Sequence, residues 1–206
     1  MDLQSASLVF IFLSLVVSVS IHEAMHAFTA HWLGDDTAER EGRITLNPLA
    51  HIDFLTTILL PLVLLAFHLP PIMAAKPVPF NPNRVKWDEF GAALVGLAGP
   101  LTNLVLAAAG AGLMHLIAPD PATYTYQGLL TFIQVNILLF VFNMLPIPPL
   151  DGSRLLYALA PESLQKVMYQ LEMMGLMFIL PLLFILMPVI SPIISEVSTA
   201  IQTFLL

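Results

Sequence analysis

The chain has 206 residues, of which 58% are hydrophobic and 10% are charged, and its mean hydropathy is +0.87. This composition is typical of an integral membrane protein. Polar stretches of at most roughly 20 residues leave no room for a separate soluble domain, so we expect one membrane domain over residues 1–206. The net charge of −7 argues against a nucleic-acid partner, and the absence of cysteine excludes disulfides and thiol catalysis.

The first predicted element is an apolar helix over residues 6–33 that ends at Gly34 and is long enough to span a bilayer. It contains His22-Glu23-Ala-Met-His26, the pattern H-E-x-x-H. On a helix this spacing places both imidazoles on one face, one turn apart, which suits two nitrogen ligands on one zinc ion. Glu23 projects about 100° around the helix from His22, where it can reach a zinc-bound water as a general base without being a ligand.

H-E-x-x-H also arises by chance, and in a soluble helix chance would be the better explanation. Inside hydrocarbon an ionisable side chain is costly unless it is paired or bound, so such residues are functional by default. We therefore predict a zinc site in this helix. His31, near the helix end, is expected to be an interfacial residue and not a ligand.

The segments after the first helix are predicted from their prolines and their pattern of polarity. Residues 42–48 alternate like a short strand ended by a turn. Residues 54–75 are uncharged but interrupted by prolines, and we expect them to be re-entrant or interfacial and not a full span. Residues 76–82 are proline-rich and extended. The extended segments 42–53 and 76–82 could pair with a substrate as an added strand.

The rest of the chain alternates between apolar spans and polar loops. Residues 90–119 are rich in small residues that let helices approach closely. Residues 127–145 form a third span, and residues 151–166 are polar and helical in part. A further span over 173–195 is bent at its first proline, and the tail, 196–206, either lies on the interface or extends that helix. The expected fold is an all-α polytopic membrane protein with about four to five transmembrane helices and short extended segments near the active site.

A catalytic zinc usually has three protein ligands and a water, so a third ligand is needed. No third histidine follows His26 at metzincin spacing, and the best candidate is Asp151, which ends an otherwise uncharged span. Three prolines stop that helix, and an extended segment can aim a carboxylate inward. The alternative is an ordinary helix-cap aspartate before a polar loop, and on this residue alone it is the better explanation.

The distribution of basic residues predicts the orientation in the membrane. They fall in three loops, Arg40 and Arg43, then Lys76, Arg84 and Lys86, then Arg154 and Lys166, whereas the N-terminus and the loop 119–126 have none. The simplest assignment places the three basic loops in the cytoplasm.

Together these residues resemble the site-2 protease family of intramembrane zinc metalloproteases, in its short prokaryotic form without PDZ or CBS domains. The matching motifs run in family order: His22-Glu23-Ala-Met-His26, Asn47-Pro-Leu-Ala-His51-Ile-Asp53, Gly99-Pro-Leu-Thr-Asn103, and the segment from Asn143 to Leu150-Asp151-Gly152. There is one departure, because Phe54 and Thr56 stand where relatives commonly have proline and glycine, which affects the local turn.

The resemblance implies that His22, His26 and Asp151 hold one Zn²⁺ per chain, that Glu23 is the general base and that Asn143 helps to polarise the scissile carbonyl. It implies a transmembrane protein substrate and a prokaryotic inner membrane, with the active site open to the cytoplasm. The alternative function is a divalent-metal transporter that uses the same intramembrane site. The sequence offers one compact ligand set and no ladder of sites across the bilayer, which argues against transport.

The sequence does not decide the roles of two further polar residues or the oligomeric state. Asn103 either hydrogen-bonds across helices or contacts the substrate. His51 either lines the site or has a structural role in its loop, which is the commoner case. The oligomeric state is not predicted.

Overall fold

The computed structural model describes residues 3–51, 78–82, 84–174 and 176–206. This part of the chain is helical and contains no strand. Its helices are α1 (Leu3–Trp32), α2 (Thr37–Arg40), α3 (Asp88–Ile117), α4 (Tyr124–Asn143), α5 (Gly152–Leu159), α6 (Glu162–Met173) and α7 (Leu176–Leu205), with a 3₁₀ helix at Pro48–His51. The predicted all-α membrane fold is confirmed, whereas the segment 54–75 lies outside the described residues.

Four of the helices are long and apolar enough to cross a membrane: Ala6–Trp32, Asp88–Ile117, Tyr124–Asn143 and Pro181–Leu205. Crossing a hydrocarbon core of about 30 Å takes about 20 apolar residues, which each of them supplies. The last helix runs without interruption to Leu205, so the tail extends it instead of forming a separate interfacial helix.

One end of the bundle carries the polar loops, and we call it the basic end. The Lys86 N–H donates to the Leu33 carbonyl over 2.9 Å, which joins the start of α3 to the end of α1. The guanidinium of Arg154, at the start of α5, lies 5.3 Å from the centre of the Phe80 ring. All basic residues that the structure describes belong to these loops and short helices: Arg40, Arg43, Arg84, Lys86, Arg154 and Lys166.

The opposite end holds the other termini of the four spans. The rings of Phe10 and Tyr124 lie 6.4 Å apart, which brings the first half of α1 to the start of α4. His115 Nε2 donates to the carbonyl of Leu205 over 2.9 Å, which joins the ends of α3 and α7. The four spans therefore alternate in direction, and the three basic loops predicted to lie together do share one end.

Small residues allow the close packing of α3, as the sequence predicted. A Cβ placed on Gly96 would lie 2.9 Å from the Cβ of Arg154, and one on Gly110 would lie 3.0 Å from Ile133 Cγ1. Such separations are shorter than ordinary carbon–carbon contacts, so α5 and α4 can approach α3 this closely only because these positions lack a side chain.

The segment predicted as a strand, 42–48, takes a different form. The Thr45 N–H donates to the Arg43 carbonyl and the Asn47 N–H donates to Thr45 Oγ1, over 3.0 and 3.1 Å. The Asn47 side chain then accepts from the Leu49 N–H and begins the 3₁₀ helix. These local bonds use backbone N–H groups that would pair with a neighbouring strand in a sheet. No partner strand lies beside the segment in the described residues.

The segment 76–82 is predicted to be extended, and its described part, 78–82, contains neither helix nor strand and is bonded to the residues that follow α1. The Asn81 N–H donates to Asp35 Oδ2 over 2.6 Å, and Asp35 is fully buried. Gly34 has φ +108, a conformation that favours glycine, and lets the chain turn out of α1 as the sequence predicted.

Candidate metal centre

His22 and His26 lie on the face of α1 that packs against α3. Their relative exposures are 6% and 7%, and their Nε2 atoms are 3.0 Å apart. At 1.5 Å per residue, the two histidines lie about 15 Å and about 9 Å from the end of α1 at Trp32. If α1 spans a bilayer, as its length and composition allow, the pair would lie within the hydrocarbon.

The other ring nitrogen of each histidine is bound to α3. His26 Nδ1 lies 2.6 Å from the Val95 carbonyl, and His22 Nδ1 lies 2.6 Å from Asn103 Oδ1. A carbonyl oxygen can only accept, so His26 Nδ1 carries the proton and its Nε2 presents a lone pair. Partners of this kind are typical of histidines that bind metals, because they fix the ring orientation and the tautomer.

Asp151 completes the cluster from the start of α5. Its Oδ2 lies 3.1 Å from His22 Nε2 and 3.4 Å from His26 Nε2. It occupies the N-cap position of α5, but its side chain makes no capping hydrogen bond. The geometry therefore favours the ligand interpretation over the helix-cap interpretation.

The surroundings of Asp151 favour its ionised form in the metal-free protein. Burial opposes ionisation of this carboxyl, but the neighbouring His26 and His22 outweigh that effect and hold the pKa of Asp151 below its usual range. Its side chain is 24% exposed, against 8% and 9% for the side chains of His22 and His26. The site is closed on the histidine side and open on the Asp151 side.

The three side chains fit a zinc ion. Their ligand atoms all lie within 4.8 Å of one another. A tetrahedron with zinc–ligand bonds of about 2.0–2.1 Å has edges of about 3.3 Å, and the three observed separations are 3.0, 3.1 and 3.4 Å. Two imidazole nitrogens and one carboxylate are also a donor set that catalytic zinc uses.

Gly99 keeps the space beside the two imidazoles free. A Cβ at this position would lie 2.4 Å from His26 Nε2 and 2.6 Å from His22 Nε2. Neither distance allows a van der Waals contact. The glycine thus lets the backbone of α3 pass directly beside the nitrogens that face the metal position.

The two predicted catalytic residues are not among the three candidate ligands. Glu23 is partly buried and lies close enough to His26 to interact with it electrostatically. Asn143 ends α4, and its side-chain N–H donates to the Leu139 carbonyl over 3.0 Å. The structure therefore does not bring the Asn143 amide into contact with the three candidate ligands.

Two polar residues around the site were missed in the sequence. Asn136 and Ser18 are fully buried, and a hydrogen-bonded chain joins them to Asn103. Both could have been noticed, because Asn136 is a buried amide in an apolar span and Ser18 precedes His22 by one helical turn.

Among the described residues, the other histidines do not belong to this group of candidate ligands. His51 Nε2 donates to the Thr45 carbonyl over 2.9 Å, which favours the structural role in its loop. His31 pairs with Glu39 over 3.2 Å, and both side chains are exposed, as expected for a residue near the interface.

Comparison with known proteins gives the family. Residues 118–187 match the model of the family described as "Peptidase family M50". The chain is 38% identical over 180 residues to "Putative zinc metalloprotease YwhC" of Bacillus subtilis (strain 168), and the alignment covers 84% of this chain and 79% of that protein.

Other relatives carry similar names. The chain is 33% identical over 174 residues to "Putative zinc metalloprotease Rip2" of Mycolicibacterium smegmatis, covering 82% of this chain and 64%, less than two thirds, of that protein. It is 40% identical over 84 residues to "Putative zinc metalloprotease MJ0611" of Methanocaldococcus jannaschii, covering 39% and 43%. No solved structure matches the chain significantly. The chain therefore belongs to peptidase family M50, the site-2 protease family of zinc metalloproteases that its motifs resemble.

Proposed function

We propose that the chain is an intramembrane zinc metalloprotease that hydrolyses peptide bonds of transmembrane-helix substrates, with one zinc ion held by His22, His26 and Asp151. The observation that carries this proposal is the convergence of two imidazole nitrogens and one carboxylate oxygen within 4.8 Å, between apolar helices. Family membership supports the class of enzyme. The depth of the histidines supports a substrate that lies in the membrane.

Zinc bound there would polarise the scissile carbonyl and lower the pKa of its bound water. Glu23 would take the proton of the attacking water and return it to the leaving amine. Asn143 would stabilise the developing oxyanion, a contact worth about 3 kcal/mol. Because an asparagine side chain carries two N–H groups, Asn143 can keep its bond to Leu139 and donate the second N–H to the substrate.

The open side of the site sets the proposed direction of access. Asp151 follows the end of α4 and lies toward the basic end, so water would enter there. Basic loops favour the cytoplasmic side, which would make the site accessible from the cytoplasm. The named relatives come from bacteria and an archaeon, which supports a prokaryotic cell membrane as the location.

The substrate must expose its backbone to reach the site. A transmembrane helix satisfies its peptide groups internally, so it would have to unwind locally before a scissile carbonyl could approach the metal position. The segments 42–53 and 76–82 could pair with an unwound substrate, and of the second segment Phe80 and Asn81 are held at the basic end.

The Glu23→Gln variant tests this function against metal transport. The substitution keeps the size of the side chain but removes proton transfer, so zinc should stay bound while cleavage of a transmembrane substrate falls by about 10²–10⁴-fold or more. The measurements are zinc content, cleavage of a tagged single-span substrate, and zinc uptake into vesicles. Glu39→Gln, an exposed substitution of the same type, is the matched control and should cleave like the wild type.

Two results would contradict the proposal. Undiminished cleavage by Glu23→Gln would remove the general-base assignment. Zinc flux through the wild-type protein without any cleavage would favour the divalent-metal transporter.

A further inference from the structure

We infer that Asn103, Asn136 and Ser18 form a hydrogen-bonded relay that keeps the proton of His22 on Nδ1, so that Nε2 presents its lone pair to the metal. The inference rests on the proposed function, because it assigns a role toward the zinc ion proposed there. None of the three residues is a candidate ligand. They are positioning residues that act on the metal through His22.

The direction of the relay is set by a backbone carbonyl. The Asn136 amide lies 2.9 Å from the carbonyl of Phe132 and 2.8 Å from Ser18 Oγ. Because the carbonyl can only accept, the NH₂ group of Asn136 must face Phe132 and Ser18, and both of its N–H groups are used there. The oxygen of Asn136 must therefore face Asn103.

The orientation of Asn136 fixes the orientation of Asn103, which in turn fixes the tautomer of His22. Asn103 Nδ2 donates to Asn136 Oδ1 over 3.0 Å, so the oxygen of Asn103 is the atom that faces His22. That oxygen lies 2.6 Å from His22 Nδ1 and can only accept. His22 Nδ1 therefore carries the proton, and Nε2 is left with the lone pair that a metal needs.

The contrast with His26 explains why His22 needs a relay. His26 is oriented by the Val95 carbonyl, whose polarity the backbone fixes. His22 is oriented by a side-chain amide, and an amide alone could present either its oxygen or its NH₂ group. A turned Asn103 would place its oxygen against the oxygen of Asn136, and both residues are fully buried, where unpaired polar atoms are costly.

The spacing along α3 shows how one helix serves both imidazoles. Val95, Gly99 and Asn103 recur every four residues and so share one face of α3, opposite the pair spaced by four on α1. The outer two positions bind the Nδ1 atoms, and the glycine between them leaves room beside the Nε2 atoms.

Asn136→Leu tests the relay while keeping Asn103, the residue that contacts His22. With Asn136 removed, Asn103 is free to turn, and the zinc affinity of the purified protein should fall by about 10–100-fold, the usual cost of losing an outer-shell partner. Competition with a chromophoric zinc chelator measures it. Thr102→Val is the matched control, because Thr102 bonds only to the Ala98 carbonyl of its own helix among the contacts described, and its zinc affinity should equal that of the wild type.

Asn103→Asp and Asn103→Leu test the relay at the residue that contacts His22. A carboxylate still accepts from His22 Nδ1, as in the carboxylate–histidine–zinc arrangements of many proteins, whereas leucine cannot. We expect Asn103→Leu to lose about 10–100-fold in zinc affinity and Asn103→Asp to lose less, because one carboxylate oxygen still accepts from His22 Nδ1 while the other is repelled by Asn136 Oδ1. Equal affinities of these two variants would overturn the relay, even if Asn136→Leu does not fold.

A second readout separates positioning from a purely structural role. In zinc-loaded protein labelled with nitrogen-15 histidine, the His22 Nδ1–H should give a protected NMR signal in the wild type, Thr102→Val and Asn103→Asp. The signal should shift or exchange away in Asn136→Leu. If Asn136→Leu merely lowers the melting temperature of metal-free protein, with the signal and the zinc affinity unchanged, the relay is wrong.

The outcomes also distinguish the relay from the proposed function. Wild-type protein that binds no zinc would overturn both. Wild-type protein that binds zinc and cleaves its substrate, together with an Asn136→Leu variant of unchanged zinc affinity, would overturn the relay alone.

Discussion

The histidine side of the metal centre and its Asp151 side differ in how firmly the fold holds them. His22 and His26 sit on a long helix, buried against α3, and each ring is bound at Nδ1 by a residue of that helix. Asp151 sits at the first turn of an eight-residue helix, its carboxylate is 24% exposed, and it makes no capping bond. The histidine side is therefore set by helix packing, whereas the Asp151 side depends on a loop.

This difference would suit the proposed hydrolase, which would work inside a membrane. The closed side excludes water from the imidazoles and holds two ligands ready before a metal arrives, which limits the reorganisation that binding requires. The open side would leave a path for water and for the proposed unwound substrate. A change on the closed side should therefore destroy the site, and a change on the open side should weaken it while the bundle stays folded.

Gly99→Ala is the sharpest test of the closed side and should have the largest effect. The added methyl group would lie within 2.6 Å of both Nε2 atoms, so the imidazoles would have to separate. We expect bound zinc to be lost and cleavage to fall at least to the level of Glu23→Gln. The cost of overpacking, about 1–3 kcal/mol, should lower stability without preventing membrane insertion. Metal analysis, cleavage and thermal unfolding of the purified variant check this.

Gly112→Ala provides the control on the same helix. A Cβ at Gly112 meets nothing within 4 Å, and alanine in a helix is favoured over glycine by about 0.5–1 kcal/mol. Zinc content and cleavage should match those of the wild type. If Gly99→Ala also kept full zinc occupancy, the histidine side would be more adjustable than its packing indicates.

Asp151→Asn tests the open side and should have the next largest effect. Asparagine caps helices about as well as aspartate, so a capping role would leave the protein unchanged. If Asp151 is a ligand, the substitution removes a charged donor from the metal itself. Zinc affinity should then fall by more than the roughly 10–100-fold that is lost with a residue that only hydrogen-bonds to a ligand. Chelator competition and the melting temperature of metal-free protein are the measurements. Full zinc affinity in this variant would contradict the ligand role and favour the helix-cap interpretation of Asp151.

The sequence could predict the histidine side because one helix contains both residues. The spacing of His22 and His26 fixes their relation through the helical period alone, and the structure places them as that period requires. For Asn103 the sequence left open a hydrogen bond across helices, which the structure shows, or a contact with substrate, and it counted Gly99 among the small residues that let helices approach. Their role at the imidazoles depends on which face of α3 meets α1, and local periodicity does not contain that information.

The Asp151 side was harder to predict, for a physical reason. Asp151 is far from His22 along the chain, and its position before a polar helix fits a cap as well as a ligand. Only the three-dimensional contact, with Oδ2 3.1 Å from His22 Nε2, separates the two. The prediction of a strand at 42–48 was wrong, because an alternating pattern of polarity does not provide a second strand to pair with. The side chains of Thr45 and Asn47 bond to the local backbone instead.

The smallest expected effect concerns the compartment that the open side faces. The chain has no cysteine, so single cysteines can report on each end of the bundle. Glu41→Cys marks the basic end and Ala122→Cys the opposite end, and both residues are exposed. Neither substitution removes a lysine or arginine, so neither alters the charge bias that sets orientation. Zinc content and cleavage should stay at wild-type levels in both.

In intact cells, a membrane-impermeant maleimide should label Ala122→Cys and leave Glu41→Cys unlabelled, because basic loops are retained in the cytoplasm. Permeabilised cells should show labelling of both variants, and the cysteine-free chain should show none. Labelling of Glu41→Cys from outside would place the basic end, and with it the Asp151 side, toward the exterior. Water and substrate would then reach the zinc from that compartment, while the histidine side would keep the same contacts with α3, because those contacts depend on helix packing and not on orientation.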